Sequence, residues 1–138
     1  MNICVFCSSR NPTNSVYRQA TTELGQLLAK NNHTTIYGGS NVGLMALLSE
    51  IIKKNHGRII GVLPEVFSHL NATGDEIVHA KDFAERKAIM ITRSDAFICL
   101  PGGHGTIDEF SDVIVSKLIN IHAKPLVFIN TDGFYDNL

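Results

Sequence analysis

The chain has no tryptophan, only four prolines and three cysteines in 138 residues, and no excess of either charge. Each shortage excludes something. Twelve basic residues against thirteen acidic ones leave a net charge of −1, so there is no basic field to recruit nucleic acid and no acidic tail. No apolar run approaches the ~20 residues that cross a bilayer, and no membrane partner is expected. The start, Met1-Asn2-Ile3, lacks a basic leader and a long apolar stretch, which makes a cytoplasmic protein the expectation. Cys4-Val5-Phe6-Cys7 has the letters of a C-x-x-C pair, but in an apolar, β-rich run residues i and i+3 point to opposite faces. With Cys99 in another apolar run, small buried thiols are the better reading. None of the six histidines stands at a ligand spacing from another histidine or a cysteine, and neither a metal nor an organic cofactor is expected.

What is present is enough apolar material for one domain: 44% of the residues are hydrophobic. The apolar runs Asn2–Cys7, Thr34–Tyr37, Ile59–Leu63, Ala96–Leu100 and Pro125–Asn130 read as strands, with a brief further strand at Glu76–His79. Between them lie stretches with helical spacing, such as Tyr17, Ala20, Leu24, Leu27 and Leu28, or Leu44 to Lys54. Asp82 opens another helix, carrying Glu85, Arg86, Lys87 and Met90. Glu65 to Ala80 has little periodicity, and Pro64 is expected to break the strand before it. Strands that are continuous apolar runs, alternating with helices, mark a parallel sheet covered on both faces. The expected fold is therefore α/β: a Rossmann-like, doubly wound, mainly parallel sheet in a single domain over residues 1–138. Right-handed crossovers gather the turns after strands on one rim, where such folds bind ligands. Three polar or glycine-rich turns belong to that rim: Ser8-Ser9-Arg10, Gly38 to Gly43, and Gly102 to Thr106.

The third of these organises the rest. Pro101-Gly102-Gly103-His104-Gly105-Thr106-Ile107-Asp108-Glu109 joins a buried strand to a helix with apolar residues at Phe110, Val113, Ile114 and Leu118. Three glycines in four residues let backbone N–H groups approach a ligand, and a helix N-terminus adds partial positive charge, so the turn suits a phosphate. It has neither the Walker pattern nor G-x-G-x-x-G. Thr106 to Glu109 also fits a capping box, in which Glu109 would be purely structural. A plain strand-to-helix turn, however, needs one glycine rather than three.

Pro101-Gly102-Gly103-x-Gly105-Thr106-x-x-Glu109 resembles the signature of the LOG ("lonely guy") family, cytokinin riboside 5′-monophosphate phosphoribohydrolases whose bacterial members also act as AMP nucleosidases. The resemblance extends through Glu85-Arg86-Lys87, Tyr37-Gly38-Gly39 with Gly43-Leu44-Met45, and Ser8-Ser9, covering nearly the whole chain in order. One departure is visible: Phe83-Ala84 stand where the family usually has Met-His. The resemblance implies hydrolysis of the N-glycosidic bond of an adenine-type nucleoside 5′-monophosphate, with Glu109 as the carboxylate at the ribose and Arg86 as its catalytic partner. Gly102, Gly103, Gly105 and Thr106 would hold the phosphate, with Lys87 adding attraction if it is not simply solvated. Gly39 and Gly43 would approach the nucleotide or only permit a tight turn. Ser8 would donate a hydroxyl or serve the turn alone, and Met45 would line the adenine pocket or the core. The resemblance also implies a homodimer or larger assembly, whose apolar face is expected at Val113, Ile114 and Leu118, and a C-terminal helix that this sequence does not include. Molybdenum-cofactor carriers share the glycine-rich architecture without turnover, so a carrier of a phosphorylated ligand stays open beside the enzyme. A carrier would need the cradle but not the pair Arg86 and Glu109.

Overall fold

The strands all run the same way, so every turn that leaves a strand end toward a helix emerges on one edge of the sheet. A computed structural model describes residues 1–138. The order along the chain is β1 (Asn2–Phe6), α1 (Ser15–Lys30), β2 (Thr34–Tyr37), α2 (Gly43–Lys54), β3 (Arg58–Pro64), β4 (Glu76–Ala80), α3 (Phe83–Arg93), β5 (Ala96–Cys99), α4 (His104–Leu118) and β6 (Leu126–Phe128). Across the sheet the order is β4-β3-β2-β1-β5-β6. The chain steps outward from β1 to β4, then returns across the sheet to place β5 beside β1, with Phe6 in register with Cys99. The crevice beyond the ends of β1 and β5 is thus the topological switch point, where open α/β sheets take their ligands.

Both faces of β1 are buried, which is why it reads as an apolar run. Ile3, Val5 and Cys7 face the core formed with Leu28 of α1 and Leu44, Leu48 and Ile52 of α2. Cys4 and Phe6 face the opposite core, formed with Met90 of α3 and Phe110 and Val113 of α4. Cys4 and Cys7 therefore lie on opposite sides of the sheet, and all three cysteines are free and buried. No helix is long and apolar enough to cross a membrane.

The structure refines the sequence expectation in two places and corrects it in a third. β3 does stop at Pro64, which is itself the last strand residue, opposite Ala80 of β4, a terminal position where a missing N–H is tolerated. The segment after it, a 3-10 turn at Glu65–Phe67 and an irregular return, is tied down by side chains instead of an apolar stripe. Tyr37 donates its hydroxyl to the Thr73 carbonyl at 2.6 Å, Ser49 and Thr73 share a hydroxyl contact at 2.9 Å, and Asp75 accepts the Ile59 N–H at 2.8 Å. Third, Val113 of α4 is fully buried against its own sheet and Ile114 is partly buried there, so neither offers a free apolar face. The exposed apolar residues clustered at the end of α4 and directly after it are Val115, Leu118, Ile119 and Ile121, with Ile107 exposed nearer its start. Tyr135 packs onto the core, while Phe134 stays 44% exposed. The Tyr135 ring stands edge-on to Phe110 and Phe128 while its hydroxyl donates to the Leu100 carbonyl at 2.7 Å, and Phe134 packs edge-on against Tyr17.

Candidate active site

Three turns converge at the switch point, and glycines at two of them set the geometry. Gly39 and Gly43 adopt φ values of +79° and +67°, the left-handed region that disfavours other residues. A Cβ on Gly43 would lie 2.2 Å from the Ser9 carbonyl carbon, and the Met45 N–H donates to the Ser8 carbonyl at 3.2 Å. Gly43 therefore locks the turn after β2 onto the turn after β1, and its role is close packing of the rim. Gly102 is similar: a Cβ there would sit 2.1 Å from Thr106 Oγ1, inside the first turn of α4. Gly103 and Gly105 differ, since a Cβ on either meets nothing within 4 Å. They face open space.

That space is a cavity of about 500 Å³, a size suited to a small organic ligand. Gly103, His104, Gly105 and Thr106 form one wall, Ser8, Gly38 and Met45 another. Helix α4 begins at His104, and its N-cap Gly103 has no side chain to satisfy the first N–H groups. These orphan donors, with the positive end of the helix dipole, point at the cavity as a ready anion site. Thr106 and Glu109 lie inside the helix as its third and sixth residues, so the capping-box reading of Glu109 does not hold.

Glu109 instead meets Arg86. Arg86 Nη2 donates to Glu109 Oε1 at 3.0 Å, and the two side chains are 9% and 4% exposed. Local capping aims Arg86 inward. Asp82 caps α3 by accepting the Glu85 N–H at 2.8 Å, and the Glu85 carboxylate accepts from the Lys81 N–H. Both carboxylates that could have held Arg86 on the surface are thereby engaged. Burial pushes the Glu109 carboxyl up from the usual range to about 7, against the downward pull of the Arg86 guanidinium; Asp108 adds to the rise and Lys87 opposes it. A buried carboxyl that titrates near neutrality and lines a cavity is suited to proton transfer. Cys7 also lines the cavity, but burial, reinforced by Glu109, raises its thiol far above neutrality, so it is no nucleophile.

Of the residues singled out in the sequence, Ser8, Met45, Arg86, Gly103, Gly105, Thr106 and Glu109 line this cavity. Gly39, Gly43 and Gly102 support it from behind. Lys87 stands apart. Its ammonium bridges Asp108 and Asp112 at 3.0 Å each, tying α3 to α4 and so holding the two helices that carry Arg86 and Glu109. Sequence reasoning missed Arg10, Phe67 and the wall-forming role of Phe83. Arg10 had a signal, a cation directly after Ser8-Ser9 at a strand exit; Phe67, in the aperiodic segment, had none.

A buried arginine–carboxylate pair beside an uncapped helix N-terminus, at the switch point of a doubly wound parallel sheet, places the protein among the Rossmann-like α/β folds. The comparisons agree with that class. Residues 45–138 match the family model described as "Possible lysine decarboxylase". A rice (Oryza sativa subsp. japonica) protein named a probable cytokinin riboside 5′-monophosphate phosphoribohydrolase is 40% identical over 139 residues, 99% of this chain and 61% of its own length. An Arabidopsis thaliana protein of the same description is 39% identical over 99% of this chain and 70% of its own length. This chain belongs to the LOG family. It spans 61% and 70% of the length of these two curated relatives. Among solved structures, the molybdenum cofactor binding protein of Rippkaea orientalis superposes with a TM-score of 0.73 at 27% identity, over 92% of this chain and 74% of that one. The Moco carrier protein of Chlamydomonas reinhardtii, at 24% identity and a TM-score of 0.77 over 95% and 76%, shares the fold.

Proposed function

We propose that this protein hydrolyses the N-glycosidic bond of adenine-type nucleoside 5′-monophosphates, AMP or its N6-substituted cytokinin counterparts, to free base and ribose 5-phosphate. The observation that carries the reading is the buried Arg86–Glu109 pair on the wall of the cavity that α4 opens into. The 5′-phosphate sits against the N–H groups at the start of α4, with the Thr106 hydroxyl and the open backbone at Gly103 and Gly105. That placement brings the ribose toward Glu109. As the C1′–N9 bond breaks, its electron pair leaves with the base, and C1′ gains oxocarbenium character. The Glu109 carboxylate stabilises this cation and takes a proton from the attacking water, whose oxygen bonds to C1′; the departing base gains a proton in turn. Arg86 keeps Glu109 oriented and lends a fixed charge for ribose or phosphate oxygens. The likeness to proteins named probable cytokinin riboside 5′-monophosphate phosphoribohydrolases supports this chemistry.

A carrier of a phosphorylated ligand is the second reading, favoured by the likeness to the molybdenum cofactor binding protein. It leaves the buried pair without a task. A lysine-based decarboxylase is disfavoured, since no lysine lines the cavity and Lys87 is held by two carboxylates. Phosphate recognition gives the test. Because the cradle contributes charge-assisted contacts only when a phosphate is present, kcat/KM for AMP should exceed that for adenosine by at least about 10²-fold. Equal turnover of the two refutes the reading, and tight binding of a phosphorylated pterin without base release supports the carrier.

We further propose that the protein works as a homodimer or larger assembly, through the exposed apolar set Val115, Leu118, Ile119 and Ile121. Light scattering at micromolar concentration should then give at least twice the chain mass of 15.1 kDa, and Leu118→Asp should lower it. A single-chain mass for the unmodified protein contradicts the assembly.

A further inference from the structure

Arg86 is under-held for a residue asked to orient a catalytic carboxylate. Its guanidinium makes one side-chain hydrogen bond, from Nη2 to Glu109, and its buried Nε has no partner. A planar group fixed at one corner can pivot about that corner. The second constraint is aromatic. Phe83 stands three residues before Arg86 on α3, on the same side of the helix, and Arg86 Cζ lies 5.1 Å from the centre of its ring. The ring is itself braced: Phe67, from the 3-10 turn after β3, meets it edge-on at 5.6 Å and 82°. Both rings stand at the cavity wall, and Phe83 remains 45% exposed, so core burial does not account for its place.

We propose that Phe83 is a positioning residue, holding the Arg86 guanidinium over its ring face so that Nη2 stays directed at Glu109. This rests on the proposed glycosidic hydrolysis, in which the direction of Arg86 matters. The ring does what an aliphatic side chain of similar size cannot. Its negative quadrupole attracts a weakly hydrated guanidinium, and its flat face sets the plane of the cation. Phe67 belongs to the same device, as the brace that keeps the ring from turning away.

The test compares Phe83→Leu, which keeps apolar bulk, with Phe83→Tyr, which keeps the ring. Phe83→Leu should lower kcat about 3- to 30-fold, the range a cation–π contact of this kind supplies, while KM for AMP changes less than about twofold. Phe83→Tyr should restore kcat to within about twofold. A readout independent of turnover is the Nε–Hε resonance of Arg86 in nitrogen–proton NMR spectra, assigned by its loss in Arg86→Lys. In the unmodified protein and in Phe83→Tyr it should be shifted upfield by the ring and slow to exchange with water; in Phe83→Leu it should move downfield and exchange faster. An unmoved resonance in Phe83→Leu overturns the proposal, as does failure of tyrosine to restore it. A raised KM at unchanged kcat also overturns it, showing that the ring contacts substrate instead. If the unmodified protein releases no base, the hydrolase reading fails, and the resonance alone still decides whether Phe83 positions Arg86.

Discussion

Replacing Glu109 with glutamine should lower turnover about 10²-fold or more and, at pH 8, raise the melting temperature. Both effects have one cause. Glu109 is a carboxyl held in a site that disfavours its charge, with burial pushing it from 4.5 to about 7. Glutamine keeps the shape and can still accept from Arg86, but it cannot carry the charge or take a proton, so the chemical step suffers while phosphate binding does not. The stability sign follows from proton linkage. Between pH 4.5 and 7 the folded state holds the proton more tightly than the unfolded chain, so this group's contribution to stability falls as pH rises through that window and is lowest above it. The neutral variant escapes that loss. Its advantage should grow from about 1 kcal/mol at pH 5 to about 3 kcal/mol at pH 8, worth several degrees in a domain of this size. Melting curves of the two proteins at both pH values check the sign, and calorimetric titration with AMP checks that affinity is retained. A variant that melts lower than the unmodified protein at pH 8 would show that the ionised pair is net stabilising, contrary to the assignment of Glu109 as a strained functional group.

Arg86→Leu should be at least as damaging, with kcat lowered about 10²- to 10³-fold, because it removes both the orienting donor and a fixed positive charge from a water-poor site. It should also move the pH dependence in a stated direction. The groups acting on Glu109 are Arg86 and Lys87, which lower its pKa, and Asp108, which raises it, all within the burial of the α3–α4 junction. In the unmodified protein kcat/KM should fall tenfold per pH unit below about 7, as Glu109 becomes protonated. Without Arg86 the ionised form loses its largest support, so the acid limb of the residual activity should lie at higher pH. A limb that stays in place, or a kcat within threefold of the unmodified protein, would mean that Arg86 does not act through Glu109.

Much of this site was legible from one periodicity and one turn. Apolar runs such as Ile59–Leu63 identify strands buried on both faces, and parallel connection then forces the turns at Ser8, Gly38 and Gly102 onto one edge. What stayed hidden depends on side-chain direction. Whether Glu109 caps α4 or faces Arg86 turns on where the helix starts, and the start at His104 moves the capping positions out of its reach. Lys87 and Arg86 are neighbours in sequence, yet one helical step sends Arg86 into the cavity and Lys87 out to Asp108 and Asp112. Phe67 sits in a segment held by Tyr37, Ser49 and Asp75 through polar contacts to distant backbone or hydroxyl groups, which leave no periodic trace in the letters. Val113 and Leu118 are both apolar positions of one helix, and only the packing of α4 onto the sheet separates the buried residue from the exposed one.

The most direct measurement is incubation of the unmodified protein with AMP in water enriched in oxygen-18, followed by mass spectrometry of all products. Hydrolysis at C1′ predicts adenine and ribose 5-phosphate in equal amounts, with the label at C1 of the sugar and none in the phosphate. Label in inorganic phosphate with adenosine as co-product would contradict it by locating the reaction at the phosphate ester, and unchanged AMP despite saturable binding would leave a carrier in its place.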